Sequence, residues 1–341
     1  MRFGFCTIPS QPFEALCDLV HHAEKRGYDR YWVPDQSFFN DPFTILGALA
    51  LRAGSIRLGL GVVNPYSRQP ALVARGAATV AKLCGEGFIL AYGAGNRHEL
   101  VNRLGFEAKE PARRCREAMD IVRRLMAGEE VNRPGPLWPM EGVRLQFPLP
   151  PPIPVYMSAR GPRMLRMTGE MAEGVILSSL ATPEAVEYTL SEVRRGAARA
   201  GREVGALPIF LWTVCMVADD PGPLRELMRA SIGHSVSNSA EPVLNAMGFD
   251  PEEIAALKTA YRAEGPAGAA PRVTKKMIDA FSLIGTPENI VSRLRAAERA
   301  GVTDLTLLMP AAGVGGSHGV SRFDHKENLD RFATEVIPHL R

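Results

Sequence analysis

The stretch RLGLGVVNPYSRQP, residues 57–70, decides how the rest of the chain is read. An apolar run ending in Val62 and Val63 reads as a buried strand, and it passes without a spacer into a tight polar loop from Asn64 to Arg68. Pro70 then opens PALVARGAATVAKLCG, whose apolar residues recur at helical spacing. Strand, loop and helix thus make one unit, with the loop placed at a mouth that holds something.

Working outward, the same unit recurs in both directions. RFGFC (2–6) is followed by QPFEALCDLVHHAEKRG, in which Phe13, Leu16, Leu19, Val20 and Ala23 share a face and Gly27 stops the helix. RYWVP precedes DPFTILGALALRAG, and GFILAYG precedes RCREAMDIVRRLMAG. Residues 129–152 are proline-rich without helical period and read as an excursion, a hairpin in form. The pattern resumes with IPVYMSA and GPRMLRMTGEMAE, GVILSS and TPEAVEYTLSEVRRGAARAG, and LPIFLWTVCMVA and GPLRELMRASIG. An insertion over 231–271 and helices in TKKMIDAFSLIG and TPENIVSRLRAAERAG come before DLTLLMP and a terminal helix from about Phe323.

Eight strands alternating with helices point to an α/β fold, a (β/α)8 TIM barrel formed as a single domain over 1–341 with insertions at 129–152 and 231–271. An open doubly wound sheet would want a nucleotide fingerprint after its first strand, and CTIPSQPF contains no G-x-G-x-x-G.

Composition restricts the function. The 341 residues are 46% hydrophobic and 23% charged, the balance of a globular protein with a large core. Forty basic and 37 acidic residues give a net charge of +3 without a basic tract, which argues against nucleic acid or a membrane surface as partner. MRFGFCTIPSQPF has neither a signal-peptide nor a membrane-span pattern, so a cytoplasmic protein is expected. Cys6, Cys17, Cys84, Cys115 and Cys215 are scattered without C-x-x-C spacing and the seven histidines form no H-E-x-x-H, which argues against disulfides and metal.

A barrel puts its chemistry on the loops at the C-terminal ends of its strands. The candidates are Cys6 and Thr7, Asp35 and Gln36, Gly61 to Arg68, GAGNRHE (93–99), SARGPR (158–163) and SSL (178–180). Each has a plain structural alternative: Asp35 as a cap, Gly93 and Gly95 as a turn, Cys6 as a packed small apolar residue. At SARGPR, Pro162 at a first helical position behind Gly161 leaves free amides and a positive dipole end facing the mouth, suited to a phosphate.

GLGVVNPYSRQP, GAGNRHELVNRLG, SARGPRMLRMTGEMAEGVILSS and VTKKMIDAFSLIGTPENIVSRLRAAERAGVTDLTLL together resemble the bacterial-luciferase-like superfamily. Within it they look most like the coenzyme F420-dependent methylenetetrahydromethanopterin reductases. The resemblance implies a deazaflavin, with FMN as the alternative, lying flat against a bulge that carries a non-prolyl cis peptide at Gly61–Val62. Asn64 would stand beside the ring, and Asp35, Gly93, Ala94, Gly95 and Asn96 would line the ring and its side chain. Ser158, Ala159, Arg160, Gly161, Pro162, Ser178 and Ser179 would hold the phosphate, with Arg163 and Arg166 as further cations. The resemblance further implies a small-molecule substrate, hydride transfer, and a homodimer or homotetramer. Met228, His234, Met247 and Tyr261 of the insertion would cover the substrate, or serve an oligomer contact or plain packing.

The chain departs from the family at two catalytic positions. Cys6 stands where the reductases carry an acid, and Gln36 stands where many relatives have His after Asp35; neither replacement titrates as a proton donor near neutral pH. Three readings follow: a deazaflavin-dependent reductase with another proton source, an FMN-dependent luciferase-like monooxygenase, and a cofactor-binding barrel without catalysis. In the first, Cys6, Asp35 and Gln36 occupy the catalytic positions.

Overall fold

The computed structural model describes residues 1–36, 38–96, 98–203, 207–310 and 323–341. In chain order the first half is β1 (Arg2–Cys6), α1 (Phe13–Lys25), β2 (Arg30–Val33), α2 (Pro42–Ala50), β3 (Arg57–Val63), α3 (Pro70–Cys84), β4 (Ile89–Gly93) and α4 (Pro111–Met126). The proline-rich excursion forms an antiparallel hairpin of β5 (Val131–Arg133) and β6 (Met140–Val143). Then come β7 (Val155–Ser158), α5 (Pro162–Met171), β8 (Val175–Ser178), α6 (Pro183–Arg199) and β9 (Ile209–Val217).

After β9 come α7 (Gly222–Leu227), α8 (Arg229–Ser237), α9 (Glu241–Ala246) and α10 (Pro251–Ala269), and the insertion over 231–271 is helical, taking in most of α8 with α9 and α10. The chain ends with α11 (Lys275–Phe281), β10 (Ser282–Gly285), α12 (Pro287–Ala300), β11 (Asp304–Leu308) and α13 (His325–Glu335). Eight strands pair in parallel in the order β1, β2, β3, β4, β7, β8, β9, β11, and β11 returns to β1 to close the barrel. Closure leaves no edge in this ring exposed to pairing.

Strand alternation divides the core in two. Phe3, Phe5, Tyr31, Val33, Leu58, Leu60, Leu90, Val155, Met157, Val175 and Leu177 belong to the layer between barrel and helices. Cys6, Trp32, Ile89, Ala91, Tyr156, Ile176, Phe210 and Trp212 fill the barrel interior. Deeper in, Arg30 donates to the carbonyls of Leu58 and Gly87, at 3.2 and 2.6 Å, and burial lowers its pKa to about 10. The interior is a packed plug, so a ligand has access only from the mouth above it.

Two expectations from periodicity are corrected. SLIG at the end of TKKMIDAFSLIG is not helix but β10, which pairs with Val214 to Val217 of β9; four apolar residues fit a buried strand as well as a last helical turn, and the long free end of β9 decides between them. GPLRELMRASIG is two helices parted at Met228 rather than one. The terminal helix begins at His325, where Asp324 accepts from the amides of Lys326 and Glu327. Among the described residues no helix is long and apolar enough to cross a membrane, and no three His, Cys, Asp or Glu side chains gather as metal ligands.

Candidate active site

The 57–70 stretch builds one wall of the mouth. Register shifts between Gly61 and Val63, and the Gly61–Val62 peptide is cis. Gly61 projects into the barrel: a Cβ there would lie 2.9 Å from Cη2 of Trp212 and 3.3 Å from Cβ of Ala91. Beyond the bulge, Asn64 is buried and its carboxamide oxygen accepts from the amides of Tyr66 and Ser67, each at 3.0 Å, while its Nδ2 donates to Ser67 Oγ at 2.9 Å. This Asx turn folds the loop onto itself, and Gln69 then caps α3 through the Leu72 amide.

The loop is fastened on both sides. Arg68 makes a two-pronged pair with Asp35, at 2.6 and 2.9 Å, and also reaches Asp41 at 2.8 Å. The bond to Asp35 raises the Arg68 pKa above its ordinary value, so the guanidinium is permanently charged. Asp35 is thereby held as the anchor between the loops after β2 and β3, its side chain 7% exposed. On the other side Tyr66 donates to the Lys109 carbonyl at 2.9 Å, and Arg114 lies over its ring.

Of the other catalytic positions, Cys6 is buried against the aromatic plug at the top of β1, and burial pushes its pKa up to about 12. Its thiol is therefore protonated across the neutral range and cannot act as a thiolate. Gln36 is half-buried just beyond β2, with its carbonyl accepting from Phe39.

The remaining positions collect on the facing side. Gly93 ends β4 against Val62, where a Cβ would lie 2.9 Å from Val62 Cγ2; Ala94 and Asn96 are half-buried, and Gly95 takes a φ of +75°. Arg97 of the same stretch lies outside the described residues. Ser158 ends β7, and Ala159, Arg160, Gly161 and Pro162 lead into α5, which has Pro162 in its first turn and no side-chain cap at Gly161. Arg160 donates to the Ser235 carbonyl at 3.3 Å, tying α8 to this loop, and burial lowers its pKa to about 10, well within the charged range at neutral pH. Arg166 is paired with Glu192, and so is Arg195. Ser178 ends β8, and Ser179 follows with a φ of 57° and its amide bonded to the Trp212 carbonyl. Among the described residues the hydroxyls of Ser158, Ser178 and Ser179 make no hydrogen bond to the protein.

The family model for luciferase-like monooxygenases matches residues 1–304. The chain belongs to the luciferase-like monooxygenase family. The 5,10-methylenetetrahydromethanopterin reductase of Archaeoglobus fulgidus is 30% identical over the full length of both chains. The enzyme of the same name from Methanolobus tindarius is 30% identical over 91% of this chain and 94% of its own. The solved coenzyme F420-dependent tetrahydromethanopterin reductase of Methanopyrus kandleri superposes with a TM-score of 0.81 at 25% identity, covering 100% of this chain and 99% of that one.

The mouth of this luciferase-like barrel combines small side chains with unpaired hydrogen-bond donors. Gly61, Ala91, Gly93, Ser158 and Ser178 leave the upper ends of their strands with little side-chain bulk, and the indole N–H groups of Trp32 and Trp212 are buried without a partner among the described residues. Free hydroxyls at Ser158, Ser178 and Ser179 and the uncapped first turn of α5 supply donors for an anion. Sequence reasoning did not single out Trp32 and Trp212 as the floor. Their signal was alternation within RYWV and IFLWTVCMV, which is masked because those strands are apolar on both faces.

Proposed function

We propose that this protein is a coenzyme F420-dependent oxidoreductase that transfers a hydride between the deazaflavin and a methylene-tetrahydropterin. The observation that carries the reading is full-length similarity, at 30% identity, to reductases of that name, in a chain whose β3 ends in a bulge at the barrel mouth. When bound, the deazaflavin supplies a carbon centre that gives or accepts a hydride and reacts poorly with oxygen.

The protein's part is placement. Gly61 and Gly93, with the Val62 side chain lying over Gly93, form a low surface that would take one ring face, with Asn64 and Asn96 beside it. Ser158, Ser178, Ser179 and the amides following Gly161 hold the phosphate, and Ala94, Gly95, Ala159, Arg160 and Pro162 shape its surroundings. Asp35, locked to Arg68, fixes the spacing of the loops after β2 and β3. Gln36 orients substrate by hydrogen bonding, and Cys6 offers a small neutral contact; with neither able to deliver a proton near neutral pH, solvent or the substrate supplies it. We infer further that residues 1–341 work as one domain in the cytoplasm. We infer a homodimer or homotetramer from the family resemblance.

The test is a parallel fluorescence titration of the purified protein with coenzyme F420 and with FMN, followed by turnover of methylene-tetrahydropterins by the loaded enzyme. Binding of F420 in preference to FMN with oxygen-insensitive turnover is expected. Preference for FMN with oxygen consumption moves the chain to the monooxygenase side of its family, and F420 binding without turnover of any such substrate marks a barrel that has lost catalysis.

A further inference from the structure

Among the described residues seven large apolar side chains are exposed, and three of them, Phe38, Leu104 and Phe106, at 45%, 39% and 37%, belong to loops on the rim of the mouth. Phe38 lies in the loop after β2, and Leu104 and Phe106 follow the helical turn His98–Arg103 after β4. These loops flank the β3 bulge, because β2, β3 and β4 are neighbours in the barrel. They meet in one contact: the guanidinium carbon of Arg103 sits 3.9 Å from the centre of the Phe38 ring.

Arg103 differs from Arg68, Arg114 and Arg160. Arg68 also lies over an aromatic ring, that of Phe43, but its N–H groups are consumed by Asp35 and Asp41; Arg114 lies over Tyr66, and Arg160 is spent on a carbonyl. Arg103 has no ion pair and no hydrogen bond among the described residues, and it is exposed. A guanidinium stacked by one face on an aromatic ring is held in a plane while the N–H groups along its edge stay available, the arrangement that receives a carboxylate or phosphate in two-pronged fashion. The exposed edge of Phe38 supplies apolar surface for an aromatic ring next to that cation, and Leu104 and Phe106 are exposed on the loop that follows Arg103.

We infer that Phe38, Arg103 and Phe106 form an outer subsite for an aryl group that ends in an anion. A methylene-tetrahydropterin continues past its bicyclic ring into an aryl arm bearing acidic groups. The inference thus rests on the proposed function: the reacting ring occupies the mouth and the arm lies over this rim. Residues of the subsite determine which carrier is accepted and take no part in hydride transfer.

The test separates the subsite from the reaction. The full-length protein is titrated by calorimetry with para-aminobenzoyl-glutamate, which reproduces aryl arm and anion without a reacting ring, and with para-aminobenzamide, which lacks the anion. Saturable binding of the first and much weaker binding of the second are expected. Arg103→Ala and Phe38→Ala should each weaken it about tenfold, and Arg103→Lys should restore little because an ammonium has no planar face to stack. In the F420-loaded enzyme the same variants should raise KM for a methylene-tetrahydropterin about tenfold while kcat and F420 affinity hold. Absence of saturable probe binding, or binding unchanged in both alanine variants, overturns the subsite. Arg103-dependent probe binding in a protein that turns over no methylene-tetrahydropterin leaves the subsite standing and overturns the substrate; turnover with KM unchanged in both variants does the reverse.

Discussion

Gly61 shows why a single position at the mouth admits so few residues. It is needed for space: Trp212, Ala91 and Trp32 surround the place a Cβ would take, at 2.9, 3.3 and 3.3 Å. Gly61→Ala should lower stability by about 1–3 kcal/mol, the usual cost of overpacking a well-filled core, as read by urea unfolding. Gly61→Leu should additionally abolish F420 fluorescence quenching, because the displaced side chain has only the mouth to occupy. Normal F420 binding by the leucine variant would remove the ring from this bulge. Cys6 makes the complementary point: position at a strand end suggested chemistry, yet a neighbourhood of Trp32, Ile89 and Trp212 keeps its thiol neutral.

The β3 loop is an element whose shape depends on two unlike devices. Its inner half is local, since Asn64 bonds residues two and three further on. Its outer half is long-range, since Arg68 holds Asp35, 33 residues away in sequence. Arg68→Ala strands a mostly buried carboxylate, and we expect it to cost about 3 kcal/mol and to accelerate amide exchange over 64–69. Arg68→Lys should recover only part of this, because one ammonium cannot reproduce the two-pronged bond to Asp35 together with the bond to Asp41. If Arg68→Ala leaves both unfolding and exchange unchanged, the pair is not what holds the loop. The same contrast explains β10, where four residues carry too little pattern to name their own state and β9 supplies it.

For the whole molecule, burial of ionisable groups predicts how stability responds to alkali. Burial pushes the thiols of Cys6 and Cys115 up to about 12 and that of Cys84 up to about 11, from an ordinary 9.0, and Tyr28 and Tyr92 are likewise raised by burial. The folded state then holds protons that the unfolded chain releases above pH 9, so stability is full below that pH and falls between about 9 and 12. Each thiol contributes at most about 1.4 kcal/mol per pH unit in that window. Denaturation midpoints measured from pH 7 to 11 should show a plateau followed by a steepening decline, with a shallower decline in Cys115→Ala; a flat profile would contradict the burial of these groups.

Much of this protein was determined by sequence alone, because strands and helices declare themselves over a few residues. The alternation of apolar runs with helical faces specified a (β/α)8 barrel, the Pro-rich stretch marked an excursion from it, and the motifs at 59–70, 93–105 and 158–179 indicated the family. Tertiary structure alone decided the rest. Asp35 gives no sign of its ion pair with Arg68, Gly61 gives no sign of Trp212 across the barrel, and nothing in Phe38 announces Arg103. The physical reason is common to all three: backbone preference and hydrophobic period act between near neighbours in the chain, whereas the partner of a charge, the space left for a Cβ and the face of a ring exist only once distant strands have closed on one another.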